Sequence, residues 1–149
     1  MLGVADAEEL FVLQNAAYAP PLEAEDAPSR RQSLEALTAD LGDEHMVSLG
    51  LRDGGALVAA VRAYISGPSA QIGRLCVHPD QQGRGLATAL LNELEARVPG
   101  YVREVRIFTD EDAAASRRFY TKLGYLEGRH EATESGFHVV QLSKPVAGS

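Results

Sequence analysis

The stretch Val77-His78-Pro79-Asp80-Gln81-Gln82-Gly83-Arg84-Gly85-Leu86-Ala87 decides how this chain folds. Before it, Gln71 to Val77 reads as a strand that stops at His78-Pro79-Asp80. After it, Leu86, Leu90, Leu94 and Val98 recur every four residues with Leu91 beside them, the stripe of an amphipathic helix that Pro99-Gly100 ends. A strand that turns through glycines into a helix presents unpaired backbone N–H groups at the positive helix end, where an anion such as phosphate is held. Glycine lets that ligand approach the backbone closely. One glycine would serve a plain tight turn, whereas Gly83 and Gly85 together with Gln82 and Arg84 are more than a turn needs. The Lys-Ser/Thr ending of a nucleoside-triphosphate loop is absent, and Thr88 stands where a dinucleotide loop has its third glycine, so neither nucleotide motif applies.

Upstream, Asp6 to about Tyr18 sets Leu10, Phe11, Leu13 and Ala17 at helical spacing, with Asp6 as N-cap and Glu8 and Glu9 suited to the dipole of the first turn. Residues before Asp6 are expected to add an edge strand at most. After Ala19-Pro20-Pro21 an acidic loop runs to Pro28, and a helix from about Ser29 to Leu41 places Leu34, Leu37 and Leu41 on one side. His45 to Leu51 and Leu57 to Ile65 read as strands joined by the hairpin signal Arg52-Asp53-Gly54-Gly55. Downstream come a strand, Val102 to Phe108, and a helix, Asp112 to Leu123, entered through Thr109-Asp110-Glu111-Asp112 and closed by Gly124. Tyr125 to about Ala132 and Phe137 to Leu142 form a last pair of strands across Glu134-Ser135-Gly136, with a loose tail after Pro145. The order ααβββαβαββ, without repeat or long linker, predicts one α/β domain over 1–149 with a mixed sheet and helices in layers.

Composition narrows the function. At 149 residues, 45% hydrophobic and 23% charged, the chain is sized for one packed core, and disordered or fibrous classes fall away. No apolar run is long enough to span a membrane and the first residues lack a charged-then-apolar leader, so a cytoplasmic location is expected. A single cysteine, Cys76, forms no internal disulfide, and four scattered histidines make no metal signature. The net charge of −7 argues against nucleic acid as a partner. Residues 1–57 carry 11 acids against 3 bases, and residues 58–149 carry 10 against 11. The excess of 12 Arg over 2 Lys and the 22 Ala accord with GC-rich bacterial coding and carry no mechanism.

Two segments bear a resemblance. Gly73-Arg74-Leu75-Cys76-Val77 followed by His78 to Ala87 resembles the cofactor-binding motif of the GNAT superfamily of acyl-CoA N-acyltransferases, Gln/Arg-x-x-Gly-x-Gly/Ala, here Gln82-x-x-Gly85-x-Ala87. Ser116-Arg117-Arg118-Phe119-Tyr120-Thr121-Lys122-Leu123-Gly124-Tyr125 resembles that family's Ala-x-x-x-Tyr-x-x-x-Gly-Phe, at the expected separation. The resemblance extends over essentially the whole chain. It implies a GNAT-like fold, a single mixed, mostly antiparallel sheet flanked by helices, and an N-acetyltransferase that uses acetyl-CoA as donor and no metal.

Residue by residue, the resemblance implies that the backbone N–H groups of Gln82, Gly83, Arg84, Gly85, Leu86 and Ala87 hold the CoA pyrophosphate, with the Arg84 side chain assisting and Thr88 adding a hydroxyl. Leu75, Cys76 and Val77 belong to the strand that meets the pantetheine arm, Leu75 and Val77 through their backbones, in a gap facing the strand of Phe108. An N–H near Val77 would polarise the acetyl carbonyl. Tyr120 would protonate the departing thiolate, which suits a phenol of pKa about 10 donating to a thiolate whose conjugate acid has pKa about 8.5. Tyr120 also stands one residue off the face shared by Phe119 and Leu123, which favours catalysis over packing. Two positions depart from the family pattern. Ala113 replaces an Asn that contacts the cofactor in many members, leaving Ser116 or Arg117 to supply a polar contact, and Gly73 replaces a strand Glu that serves as general base.

His78, Glu44 and His45 are therefore the remaining candidates for a base, and none is assigned. Cys76 as a covalent acyl carrier is outweighed by packing in an apolar strand, so direct transfer in a ternary complex is expected. In the family the first two helices and their loop line the acceptor side, which makes Glu23, Glu25 and Asp26 an acidic lip toward the amine. The implied acceptor is a primary amine of a small molecule. A protein amine, a non-catalytic acyl-CoA-binding module and a binder of some other phosphate ligand are the alternatives. A homodimer through the last strands is also compatible with the resemblance.

Overall fold

The structure, a computed structural model, describes residues 1–17, 32–132, 136 and 138–146. Helices α1 (Ala7–Ala17) and α2 (Leu34–Gly42) precede three strands, β1 (Met46–Asp53), β2 (Ala56–Ser66) and β3 (Ser69–Val77). Then follow α3 (Leu86–Arg97), β4 (Glu104–Asp110), α4 (Ala114–Lys122), β5 (Leu126–Ala132) and β6 (His138–Pro145). The six strands form one sheet in the order β1-β2-β3-β4-β6-β5. Every neighbouring pair is antiparallel except β3 and β4. The sheet is thus mixed, mostly antiparallel and flanked by helices, as expected.

Strand β2 is buried continuously from Leu57 to Val61 and on through Ala63, because it carries helices on both faces. On one face Leu90, Leu91, Leu94 and Val98 of α3 and its C-cap pack with Ala59, Val61, Ala63, Ile72, Val105, Val140 and Leu142. On the other, Leu10, Leu13, Leu37 and Leu41 of α1 and α2 pack on Leu57, Ala60 and Cys76. Each fully buried leucine contributes about 1.5–3 kcal/mol. The four-residue stripe of α3 and Leu37 and Leu41 of α2 were legible as core for this reason, whereas Leu34, read onto the same side, stands at the first position of α2 and is exposed.

Two bulges set which residue faces which layer. Leu51 pairs with Ala59 and Arg52 with Leu57, which leaves Val58 as an extra residue in β2. Arg62 pairs with Arg74 and Ala63 with Ile72, which leaves Gly73 extra in β3. An extra residue reverses the alternation of side chains. Ala70 and Ile72 therefore share the α3 face with Leu75 and Val77, while Arg74 and Cys76 turn to the α1/α2 face.

Several boundaries differ from those read in the sequence. Asp6 is not the N-cap of the first helix: a 3-10 turn over Val4–Asp6 precedes α1, and the Asp6 carboxylate accepts the Gly3 N–H at 2.9 Å. Leu2 makes one backbone bond to Ser48 (2.8 Å) and no edge strand forms there. The cap of α2 is Ser33, whose hydroxyl accepts the Ala36 N–H at 3.0 Å; of the earlier start proposed at Ser29, residues 29–31 lie outside the described residues. Thr109 and Asp110 extend β4 instead of opening a helix, and α4 begins after Ala113 without a side-chain cap. The expected turn at Glu134-Ser135 and the strand start at Phe137 also lie outside the described residues.

Polar ties fix the helices to the sheet. The Glu9 carboxylate accepts the Leu57 N–H (2.9 Å) and pairs with Arg52 (2.7 Å), and these two contacts hold its carboxyl below the usual range. Arg62, 2% exposed, donates to Gln14, to Gln32 (2.9 Å) and to Asp40 (2.8 Å), joining α1, the approach to α2, and α2 to β2.

Candidate functional site

At the end of β3 the chain makes a 3-10 turn over Pro79–Gln81, in which the His78 ring accepts the Asp80 N–H at 3.1 Å. Gly83 (φ 83°) and Gly85 (φ 75°) take left-handed conformations that turn the chain directly into α3. The first helical bond runs from Ala89 to Gly85, so the N–H groups of Leu86, Ala87 and Thr88 in the first turn have no intrahelical acceptor. No side chain caps this end and no acid stands in its first turn. From Gln82 to Gly85 the loop is exposed. The result is a cluster of outward N–H groups at a positive helix terminus. Arg84 lies beside it, engaged with Gln81 and, at 3.3 Å, with Asp53 of the β1–β2 turn.

The parallel ladder between β3 and β4 has three rungs, Ser69 with Glu104, Ala70 with Val105 and Gln71 with Arg106, and then ends. From Gly73 to Val77 the two strands are no longer paired. The His78 N–H donates to Val58 across the β2 side (2.8 Å), and backbone groups alternate along a strand. Leu75 and Val77 consequently turn their N–H and C=O groups toward β4, into the open gap. Cys76 is turned the other way: its backbone faces β2 and its side chain, 5% exposed, packs with the α1/α2 layer. Burial pushes its thiol up to about 11, which keeps it protonated and unreactive at neutral pH.

Tyr120 is the buried residue of α4, 6% exposed, with Phe119 and Leu123 only partly buried. The expectation that it stands off the packed face is therefore wrong: α4 turns Tyr120 itself inward. Its ring makes edge-to-face contacts with Phe119 (5.1 Å) and Tyr125 (5.6 Å) and belongs to the cluster against which Leu75, Val77 and Ile107 pack. Tyrosine at this position lies in the layer bordering the gap. Ser116 is half-buried. Arg117 is bound by Glu127 (2.8 and 2.7 Å) and by the Glu111 carbonyl (2.6 Å), so its guanidinium is already satisfied locally.

On the α1/α2 face the ladder's end opens into a cleft of about 340 Å³ lined by Gln32, Asp40, Met46, Arg62, Tyr64, Ser66, Ser69, Gln71, Gly73, Arg74 and Arg106. Neither His78, Glu44 nor His45 lines it: Glu44 and His45 are exposed beside each other (3.6 Å), with the His45 ring 6.2 Å from Tyr64 at the rim. Glu23, Glu25 and Asp26 lie outside the described residues. Arg74 and Arg106 were not singled out in the sequence. The available signal was Gly73, since an isolated glycine inside a strand marks a bulge that re-aims its neighbours. Among the described residues, no group of His, Cys, Asp and Glu could hold a metal ion, and no helix is long and apolar enough to cross a membrane.

Comparison with known proteins agrees with this fold. A family profile described as Acetyltransferase (GNAT) family matches residues 7–125. No curated protein is significantly similar to the chain in sequence. Among solved structures, a ribosomal-protein-alanine N-acetyltransferase from Escherichia coli superposes with a TM-score of 0.78 at 22% identity, covering 99% of this chain and 92% of that one. The PaiA N-acetyltransferase from Thermoplasma acidophilum in complex with coenzyme A gives 0.74 at 21%, covering 97% and 95%. An aminoglycoside 6'-N-acetyltransferase complexed with coenzyme A gives 0.74 at 15%, covering 93% and 89%.

Proposed function

The chain belongs to the GNAT family of acetyltransferases, and on that premise we propose that it transfers acetyl from acetyl-CoA to a primary amine of a small molecule, directly and in a ternary complex. The observation that carries this reading is the gap beyond Gln71 and Arg106, with the N–H cluster of Gln82 to Thr88 past the C-terminal end of β3 and the cleft beside the last rung on the α1/α2 face. A long donor with an anionic head and a reactive thioester fits a path of that shape. The N–H cluster and Arg84 hold the pyrophosphate, the backbones of Leu75 and Val77 align the pantetheine, and the Val77 N–H polarises the thioester carbonyl.

The acceptor enters the cleft, and its neutral amine attacks the carbonyl carbon. The C–N bond forms, the C–S bond breaks, and Tyr120 donates its hydroxyl proton to the departing thiolate while the amine's surplus proton passes to solvent. Asp40 is the carboxylate among the described lining residues, and it is engaged with Arg62 at 2.8 Å. A cleft of small-molecule volume supports a small acceptor. The reading places the enzyme in the cytoplasm.

Calorimetric titration of the protein with acetyl-CoA, with CoA, ATP and NAD as comparators, tests it. Micromolar acetyl-CoA binding tighter than either nucleotide, followed by thiol release with members of an amine panel, is the expected result. Absence of binding to both acetyl-CoA and CoA refutes the donor assignment.

A further inference from the structure

Three guanidiniums, Arg62, Arg74 and Arg106, line the cleft. Arg62 is matched by Asp40 at 2.8 Å. Arg106 has Glu104 beside it at 3.8 Å, a carboxylate that also accepts the Ser69 hydroxyl at 3.2 Å. The Arg106 Nε is buried without a hydrogen-bond acceptor. Arg74 has no carboxylate and no hydrogen-bond partner among the described residues, although it is half-buried. Among the described residues two carboxylates thus answer three cations, and the surplus charge sits on Arg74, next to the bulge at Gly73 where the donor gap opens. Leaving a guanidinium half-desolvated and unpaired is unfavourable, and a bidentate carboxylate relieves that cost better than any neutral group.

The position of this charge separates it from the donor's phosphates. Arg74 and Arg106 line the cleft on the α1/α2 face, whereas the N–H cluster begins beyond Val77, at the C-terminal end of β3. An anion held by Arg74 therefore belongs to the second substrate. We propose that the acceptor is an amino acid-type molecule, a primary amine carried close to a carboxylate, with Arg74 gripping the carboxylate and Arg106 reinforcing it. This rests on the acetyl-transfer reading and adds the acceptor's class to it. The bulge at Gly73 is what makes the arrangement: without the extra residue Arg74 would share the face of Ile72 and point into the apolar layer.

The test uses the full chain saturated with CoA, titrated with N-acetyl amino acids bearing small, acidic and aromatic side chains, each alongside its carboxamide. At least one acid is expected to bind ten-fold or more tightly than its amide. In Arg74→Gln the acid falls to the level of the amide while the affinities for the amide and for CoA stay as in wild type, and Arg74→Lys retains part of the preference. Equal binding of acids and amides, binding of no acid, or a preference that survives Arg74→Gln overturns the proposal. Failure to bind CoA in the preceding titration overturns the donor reading instead, so the two failures are read separately.

Discussion

Gln71 on β3 and Arg106 on β4 face each other as the last rung of the parallel ladder between those strands, and the sheet is open from that rung to Val77. The proposed site is arranged about that opening. The N–H cluster lies beyond its far end, Tyr120 borders it within the α3-side layer, and the arginine-lined cleft lies on the opposite face.

Tyr120→Phe keeps the ring and its edge-to-face contacts with Phe119 and Tyr125 and removes the hydroxyl alone. Loss of a general acid lowers kcat by about 100-fold or more. Affinity for acetyl-CoA is expected to stay constant, with Tm moving by less than about 5 °C. A variant with wild-type kcat would remove Tyr120 from the mechanism.

On the proposed reading Asp53 is expected to compete with the donor for Arg84, since the two are 3.3 Å apart and both exposed. Such a pair is worth about 1 kcal/mol at most, so Asp53→Asn tightens acetyl-CoA binding by up to about five-fold. Arg84→Gln weakens it. Titration of both variants checks the pair; an Asp53→Asn affinity equal to wild type shows that the contact does not compete.

Gly85 and Gly73 make a matched comparison, because no atom lies within 4 Å of a methyl group added at either. Only Gly85 has a positive φ, 75°. Gly85→Ala is therefore expected to cost about 1–2 kcal/mol and to weaken acetyl-CoA binding, and Gly73→Ala to leave Tm unchanged. Thermal melts of the two decide whether backbone conformation or space sets the requirement.

Cys76→Ala retains turnover, because the thiol faces the α1/α2 layer and not the gap. Its thiol is pushed up to about 11, so at pH 8 only about 0.1% is thiolate. Alkylation of the native protein is slow there and accelerates about ten-fold per pH unit as pH rises toward that value. Rapid labelling at pH 8, or an acetylated Cys76 trapped during turnover, contradicts this.

Arg62→Met leaves Asp40 and Gln14 without their buried donor and is expected to cost about 3 kcal/mol in chemical denaturation. Stability within 1 kcal/mol of wild type would mean that the polar knot is replaceable by packing.

Much of the fold was legible because its signals are local. The four-residue stripe from Leu86 to Val98 and the glycines at 83 and 85 each specify conformation within a few residues of themselves, and Gly85 is indeed left-handed at the start of α3. Boundaries were less legible where two local signals compete. Thr109 and Asp110 look like a helix cap but pair with Val140 and Val139 of β6, a partner some thirty residues away in the chain. Tyr120 failed for a related reason: its helix offers two neighbouring aromatic positions, and only packing against Tyr125 and the sheet selects the buried one.

By itself the sequence determined the order of helices and strands and the loop that turns into α3 with its N–H groups free, because these follow from propensity, periodicity and backbone conformation, and its two motifs around Gln82 and Tyr120 carried the resemblance to the family. Tertiary structure alone decided where β3 and β4 part, which way Arg74 and Cys76 point, and which carboxylates among the described residues answer the three arginines of the cleft. Those depend on register and on one extra residue at Gly73, and a shift of a single residue between strands reverses every side chain beyond it.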